Sequence, residues 1–425
     1  MSELKILKII HGYPPYYMAG SEVYTYNLCN ELKKHPQLSL TLFTRIEDLY
    51  LPPYYIEKSM EGGIRVIRVN KPQRDYLFRD KYIDKTMARI FEKYLEKIQP
   101  DVVHIGHLSH LTVLVIDIIK DHHIPILFTL HDYWMMCVRG QLIKKSLEIC
   151  PGPTVERCLE CNQKYFHNPH MGETEVKKWI AKMLQVNNKV DLFIAPSQFL
   201  RNIYINYGIP AEKIIYQDYG FKEELFQEIP QKLSKSPAEK VRFGFLGRII
   251  PVKGIDLLIR AFNPIDPSHA ELNIYGNLDK TFPYLKKQVK NPNIHFYGGY
   301  KYHNIAEVLT NIDVLVVPSV WYENSPLVIH EALLASIPVI TSNLGGMKEL
   351  IQDGKNGLLF EVGNETELRQ TIKKLIQDRS LLQKLTVNVA KTRIRSIEED
   401  AADILHLYLR LIKSKEEVAQ FARSN

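Results

Sequence analysis

No apolar run in this chain approaches the ~18 residues needed for a membrane-spanning helix, so no transmembrane segment is expected. There is no block of consecutive Lys and Arg and no nucleic-acid-binding motif, which sets nucleic acid aside as a partner. Short repeats and low-complexity tracts are absent too. The 5 cysteines are too few for a disulfide scaffold in a chain of 425 residues and read as thiols or metal ligands. The start, MSELKILKIIHGYPP, carries an acid early and reaches proline too soon for a secretory signal, so a cytoplasmic location is expected.

What is present is the composition of a soluble globular protein, 45% hydrophobic and 24% charged. The length is too great for one compact core and suggests two domains. A formal net charge of +7 favours anionic partners such as phosphates or an acidic membrane surface.

Apolar β-rich runs alternate with helical-period segments along the chain. Strands are expected over 5–10, 38–44, 64–69, 101–105, 124–130 and 191–196. A second set follows at 241–247, 271–275, 293–297, 312–318, 337–341 and 357–360. Strand–helix–strand alternation predicts an α/β protein with parallel sheets covered on both faces. The pattern weakens over 221–240, which is charged, contains proline and reads as a linker. Domains are therefore expected over 1–220 and 241–395, with an amphipathic helical tail over 396–425 packing back on the first.

In the second half, IDVLVVPSVWYENSPLVIHEALLASIPVITS reads as a buried strand, a loop, a helix over about 326–336 and another strand. Ser325 suits the N-cap and Pro326 the first helical position. Glu323 then precedes the helix and Glu331 lies inside it. The free N–H groups near Leu327 and Val328 face the carboxyl end of the sheet, where open α/β sheets bind ligands and a helix start favours an anion. A second anion element is FGFLGRIIPVKGIDLLIRAF, which brings Arg248 and Lys253 to the same sheet edge. Solvated surface charges are the bland reading of both. A carboxylate beside a phosphate site points to sugar hydroxyls, with the ribose for Glu331. The plain alternatives are an exposed helix residue for Glu331 and a loop solvator or helix-dipole partner for Glu323. No Asp-x-Asp motif near these elements calls for a metal at the phosphates.

GRIIPVKG, PSVWYENSPLVIHEA and SNLGGMKELIQDGKNGLLF resemble the retaining glycosyltransferases of family 4, and the resemblance runs over about 4–410. It implies the GT-B fold, two Rossmann-like domains with parallel sheets facing a central cleft. It also implies that Arg248 and Lys253 hold the donor diphosphate, Glu331 the ribose and Glu323 the donor sugar. Asn324, Ser325, Pro326, Leu327 and Val328 would lie along sugar and phosphates.

In the first half, IIHGYPPYYMAGSEVYTYNLCNEL is a strand, a loop and a helix. Gly20 permits close approach of backbone, and Ser21 reads as the N-cap. The family has two glycines where this chain has Ala19-Gly20. His131 and Asp132 close a buried strand in PILFTLHDYW; the resemblance sets His131 beside the donor sugar, and a loop-bound histidine is the alternative. Arg201, after APSQFL, is a further candidate.

Cys137, Cys150, Cys158 and Cys161 lie in one insertion, 137–161, and Cys158-x-x-Cys161 has zinc-ligand spacing. A structural zinc, reduced thiols and one disulfide are all open; His167 and His170 are reserve ligands. Cys29 reads as core. No cofactor is required for catalysis. Residues 81–98 form an amphipathic helix in a basic stretch. Packing on its own sheet is the favoured reading, and a membrane-facing patch the sharper one.

The expected function is transfer of a sugar from a nucleoside diphosphate donor to a glycan or lipid-linked glycan acceptor. Cell-surface polysaccharide synthesis at the inner face of the membrane is the expected setting. Paired carboxylates also raise glycoside hydrolysis, which the phosphate cradle argues against. A sugar-nucleotide epimerase and a non-catalytic nucleotide-sugar-binding protein are the remaining alternatives.

Overall fold

A computed structural model describes residues 3–72, 78–165, 168, 170–227, 229, 240–277 and 282–424. The chain forms two compact units. One comprises 1–220 with 397–425, the other 221–396.

In the first unit the strands are β1 (Leu4–Ile9), β2 (Leu38–Ile46), β3 (Ile56–Glu61), β4 (Ile64–Asn70), β5 (Val102–Ile105), β6 (Ile126–Thr129), β7 (Leu192–Ala195) and β8 (Ile214–Tyr216). They form one sheet in the order β3-β4-β2-β1-β5-β6-β7-β8. All neighbours run parallel except β3 and β4. β1, β2, β5, β6 and β7 are almost wholly buried because helices cover both faces, which is why they read as runs rich in apolar residues. Two strands escape sequence reading for physical reasons. β3, IEKSME, is an edge strand whose charges suit solvent, and β8 has only 3 residues.

The helix Ile397–Ser424 belongs to this unit and packs on the helix Gly20–Leu32. Polar contacts fix it. Asp400 is fully buried and accepts from the Tyr24 hydroxyl at 2.9 Å, Gln217 Nε2 at 2.8 Å and the Gly220 N–H at 3.3 Å. Tyr408 Oη lies 2.7 Å from His104 Nδ1, which in turn meets the buried Lys8 Nζ at 2.9 Å. In the helix Lys85–Ile98, Met87, Ala88, Phe91, Tyr94, Leu95 and Ile98 face inward, so its apolar stripe is packed.

The second unit holds β9 (Val241–Leu246), β10 (Ala270–Tyr275), β11 (Ile294–Gly298), β12 (Val314–Val317), β13 (Val339–Ser342) and β14 (Gly357–Phe360). Their order is β11-β10-β9-β12-β13-β14, all parallel. Of the expected linker, 228 and 230–239 lie outside the described residues. Residues 223–226 form a 3-10 turn whose Phe226 is buried in the core of this unit. Among the described residues no helix is long and apolar enough to cross a membrane.

Candidate functional site

Each sheet has one place where the strand order reverses, and there the loops at the carboxyl ends diverge and leave a crevice. In the second unit this point lies between β9 and β12. After β9 the chain turns at Gly247 (φ +140°) and exposes Arg248. Among the described residues the Arg248 guanidinium has no ion pair. A 3-10 turn, Pro251–Lys253, then leads through Gly254 (φ +69°) into the helix Ile255–Phe262. A Cβ on Gly254 would meet the Pro318 carbonyl oxygen at 2.0 Å, so only glycine lets this turn rest on the end of β12.

That close approach brings two candidates together. Lys253 Nζ lies 2.6 Å from Glu323 Oε1. The same oxygen accepts from Ser319 Oγ at 2.7 Å and Trp321 Nε1 at 2.9 Å. The Lys253 ammonium also stands 5.8 Å from the Trp321 ring centre. Glu323 is 5% exposed, so the pair is desolvated on the carboxylate side. Glu323 is therefore neither a loop solvator nor a helix-dipole partner. Gly345 and Gly346 press on the backbone behind it: the Gly346 N–H donates to the Glu323 carbonyl at 2.9 Å, and a Cβ on Gly346 would stand 1.4 Å from the Asn324 oxygen.

The helix that follows spans Leu327–Leu334, shorter than expected at both ends. Its N-cap is Pro326, not Ser325, and no side chain caps it. Pro326 at ψ 119° is still extended, which starts the helix one residue later and leaves Ser325 buried in the loop. Asn324 is buried as well, and Leu327 and Val328 are half-buried. Glu331 is 2% exposed and does not face solvent. Burial pushes its carboxyl up to about 7, although a hydrogen bond from the Tyr302 side chain opposes the shift. Tyr300 is a near neighbour, and its phenol is raised by burial and by Glu331. Sequence reading missed Tyr300 and Tyr302; their signal was the position just past β11, after Gly298 and Gly299.

In the first unit the order reverses between β1 and β5. Three imidazoles stand two residues past the ends of three strands: His11 after β1, His107 after β5 and His131 after β6. The His11 and His107 ring centres are 4.1 Å apart. His11 Nε2 lies 3.4 Å from buried Glu22, and His107 Nε2 lies 3.2 Å from Asp132. His131 Nδ1 meets the Tyr219 hydroxyl at 2.7 Å, and Tyr219 packs on Tyr24. Burial, aided by Lys8 and His107, holds His131 well below the ordinary histidine range, so it is neutral. Burial does the same to His11 and raises Glu22. Asp132 points to His107 and to the Trp134 N–H, so it braces its own loop.

Only His131 of these imidazoles was singled out from sequence. The same rule, a polar residue just past a buried parallel strand, reaches His11 and His107 in IIHGY and HIGHL. Gly20 is the first residue of the helix Gly20–Leu32, whose N-cap is Ala19 at φ −86°, not Ser21. No left-handed backbone is needed there, so alanine fits. The Ser21 hydroxyl donates to Glu22 Oε2 at 2.9 Å. Arg201 donates to the Ile214 and Ala211 carbonyls, which makes it a support of β8. Cys29 is buried in the core. His167 lies outside the described residues. Among the described residues no group of three His, Cys, Asp or Glu is placed to hold a metal ion.

Each unit is thus an α/β fold with polar side chains at the reversal point of its sheet. Residues 18–216 match the family model described as Glycosyltransferase Family 4, and residues 226–392 match Glycosyl transferases group 1. The chain belongs to this family of glycosyltransferases. An uncharacterized 42.6 kDa protein in the cps region of Klebsiella pneumoniae is 23% identical, over 82% of this chain and 87% of its own. Sucrose-phosphate synthase from Thermosynechococcus elongatus superposes with a TM-score of 0.71 at 20% identity, over 97% of this chain and all of its own. HepE of Anabaena, in complex with UDP-glucose, does so at 0.67 and 18%, over 95% and 99%. At these identities the likeness is one of fold, GT-B.

Proposed function

We propose that the chain transfers a sugar from a UDP- or GDP-linked donor to a hydroxyl of a glycan or lipid-linked glycan, with retention at the anomeric carbon. The observation that carries the donor half is the set of charges at the β9/β12 reversal: exposed Arg248, the Lys253–Glu323 pair and buried Glu331. The UDP-glucose complex of HepE supports a nucleotide-sugar donor.

Arg248 takes the diphosphate through two N–H groups, and the N–H groups of Leu327 and Val328 add their dipoles. Lys253 turns part of its charge to the diphosphate, which frees one Glu323 oxygen for a sugar hydroxyl. Glu331 takes the ribose hydroxyls, and Asn324, Ser325 and Pro326 line the donor. As the anomeric carbon–phosphate oxygen bond breaks, negative charge grows on the diphosphate, and the cations favour that state over the ground state. The acceptor oxygen bonds to the same face of the carbon. Its proton passes to the departing phosphate oxygen, so nucleoside diphosphate and glycoside are the products. Neutral His131 bonds a sugar hydroxyl, and no cofactor is needed.

The setting we infer is cell-surface polysaccharide synthesis on the cytoplasmic side, at the inner face of the membrane. The cps-region relative supports it. So do exposed Lys85, Arg89, Lys93 and Lys97, four apart on one helix and suited to acidic headgroups.

The test is thermal stabilisation by UDP, GDP, ADP and CMP, each with its sugars, on the wild type and Glu331→Ala. A ligand at ~100 times its dissociation constant adds about 2.7 kcal/mol to the folded state. One nucleotide standing out, with the effect lost in the variant, is the expected result. No shift from any of them sinks the donor reading. Proton NMR of the product then reads the anomeric configuration, and an inverted product removes retention.

A further inference from the structure

The second unit has a crevice of about 410 Å³ that plays no part in sugar transfer. Lys355, Lys391, Arg393, Gln352, Asn388 and Thr392 line it. Two stretches of chain build it. Residues 352–356 lead into β14 and so lie at the amino ends of the parallel strands, whereas the donor crevice lies at their carboxyl ends. Residues 388–393 close the helix Arg379–Val389 and run on from it. The first stretch is a tight turn. Gly354 takes φ +70°, and its N–H donates to the Gly357 carbonyl at 2.9 Å. Buried Asn356 locks the turn: its Oδ1 accepts from the Gln352 N–H at 2.8 Å, and its Nδ2 donates to the Leu350 carbonyl at 3.1 Å. In the second stretch the Lys391 and Thr392 N–H groups donate to the Asn388 and Val389 carbonyls at 3.1 and 2.8 Å, which curls the chain at the helix end.

The charges in this crevice are of one sign. Three cations line it, and no Asp or Glu does. Asp353, the carboxylate of the turn, accepts from the Leu359 N–H at 2.9 Å and stays out of the lining. Among the described residues neither Lys355 nor Lys391 has an ion pair, and the side-chain amides of Gln352 and Asn388 make no hydrogen bond. Basic residues just past a helix end often serve only its last carbonyls. That does not account for Lys355, which comes from the other stretch, nor for the space that separates it from Lys391 and Arg393.

We propose that this crevice binds a small organic phosphate, a phosphomonoester on a hydroxylated carbon skeleton. Arg393 grips two phosphate oxygens through its planar fork, and Lys355 and Lys391 add point charges. A phosphomonoester carries a charge of about −1.5 to −2 at neutral pH, which these cations balance. The amides of Gln352 and Asn388 meet the hydroxyls of the skeleton. So does the Thr392 hydroxyl, which donates to the Asn388 carbonyl at 3.3 Å and keeps its lone pairs for a ligand donor. The volume lies in the range of small-molecule sites, roughly 300–1,000 Å³.

The experiment is calorimetric titration of the full chain, at fixed ionic strength, with ribose phosphate esterified at its primary hydroxyl, with ribose and with inorganic phosphate. We expect the ester to bind, ribose not to bind, and inorganic phosphate to bind more weakly by about tenfold. Lys355→Gln/Lys391→Gln should weaken the ester by about tenfold or more, since each change removes a charge-assisted hydrogen bond. Both side chains are exposed, so the variant should keep its fold, which urea unfolding checks. Arg248→Ala, at the donor crevice, should bind the ester as the wild type does. A wild type that does not bind the ester at millimolar concentration overturns the proposal. So does affinity lost in Arg248→Ala and kept in the lysine variant, because the phosphate then sits in the donor crevice. Inorganic phosphate binding as tightly as the ester overturns the class of ligand assigned.

Discussion

The two reversal points use the same topology for opposite electrostatics. At β9/β12 the polar groups carry fixed charges: Arg248 is exposed, and the Lys253 ammonium donates to the Glu323 carboxylate at 2.6 Å. At β1/β5 they are imidazoles: His11 stands beside Glu22 and His107 beside Asp132, and burial keeps His11 and His131 neutral. Permanent cations suit a permanent anion, such as a diphosphate. Neutral donors and acceptors suit hydroxyls, whose hydrogen bonds need direction more than charge. The fold therefore supplies two crevices, and the residues at the strand ends decide what each can hold.

The sharpest way to break this contrast is Arg248→Ala. Turnover should fall by about 10²–10³-fold, as when one pre-organised transition-state contact is removed. Stability should hold within about 0.5 kcal/mol, because the side chain is exposed. Steady-state kinetics beside urea unfolding checks both; an unchanged kcat removes Arg248 from the phosphate site.

Glu331 offers a pH signature confined to the second unit. Its folded pKa of about 7 lies above its ordinary 4.5. The protonated carboxyl is thus favoured in the folded state. The stability it contributes is complete below pH ~4.5 and is lost as pH rises through ~7, by about 3 kcal/mol in all. Glu331→Gln should flatten that part of the stability–pH curve. Nucleotide affinity should rise over the same window in the wild type, since ribose hydroxyls donate best to the ionised form. A curve in which wild type and variant run parallel would refute the assignment.

Gly346→Ala should cost about 3 kcal/mol in stability and weaken donor binding, because its methyl meets the Asn324 backbone oxygen. A fully stable variant would mean that the loop yields easily. The smallest effect is expected at the other reversal point. Tyr219→Phe removes the partner of His131 Nδ1 and should cost about 1 kcal/mol and several-fold in kcat. Its nucleotide-dependent thermal shift should match the wild type. A lost shift there would collapse the distinction between the two crevices.

Much of this was legible in the residues. Every expected strand exists, because parallel strands covered on both faces are rich in apolar and β-branched residues. The glutamate pair and the two cations were also legible, since each sits beside a strand end or helix start that the pattern locates. The caps were not: Ser325 and Ser21 have the right chemistry, but the helices begin next to Pro326 and Ala19. His11 and His107 are single residues whose meaning depends on which strands are neighbours. Tyr300 and Tyr302 lie about 30 positions from Glu331 in sequence, with no local signal of their contact.

By itself the sequence determined the two-unit α/β architecture, the strand positions and the kinds of side chain at strand ends, because periodicity and strand–helix alternation are local properties. Only the tertiary structure decided that Lys253 pairs with Glu323, that Glu331 is buried against tyrosines, that Asp400 ties the last helix to the first unit, and that four cysteines share one cavity. Those are long-range meetings, set by strand order and by the glycines that let backbone approach backbone, and no stretch of the chain carries them alone.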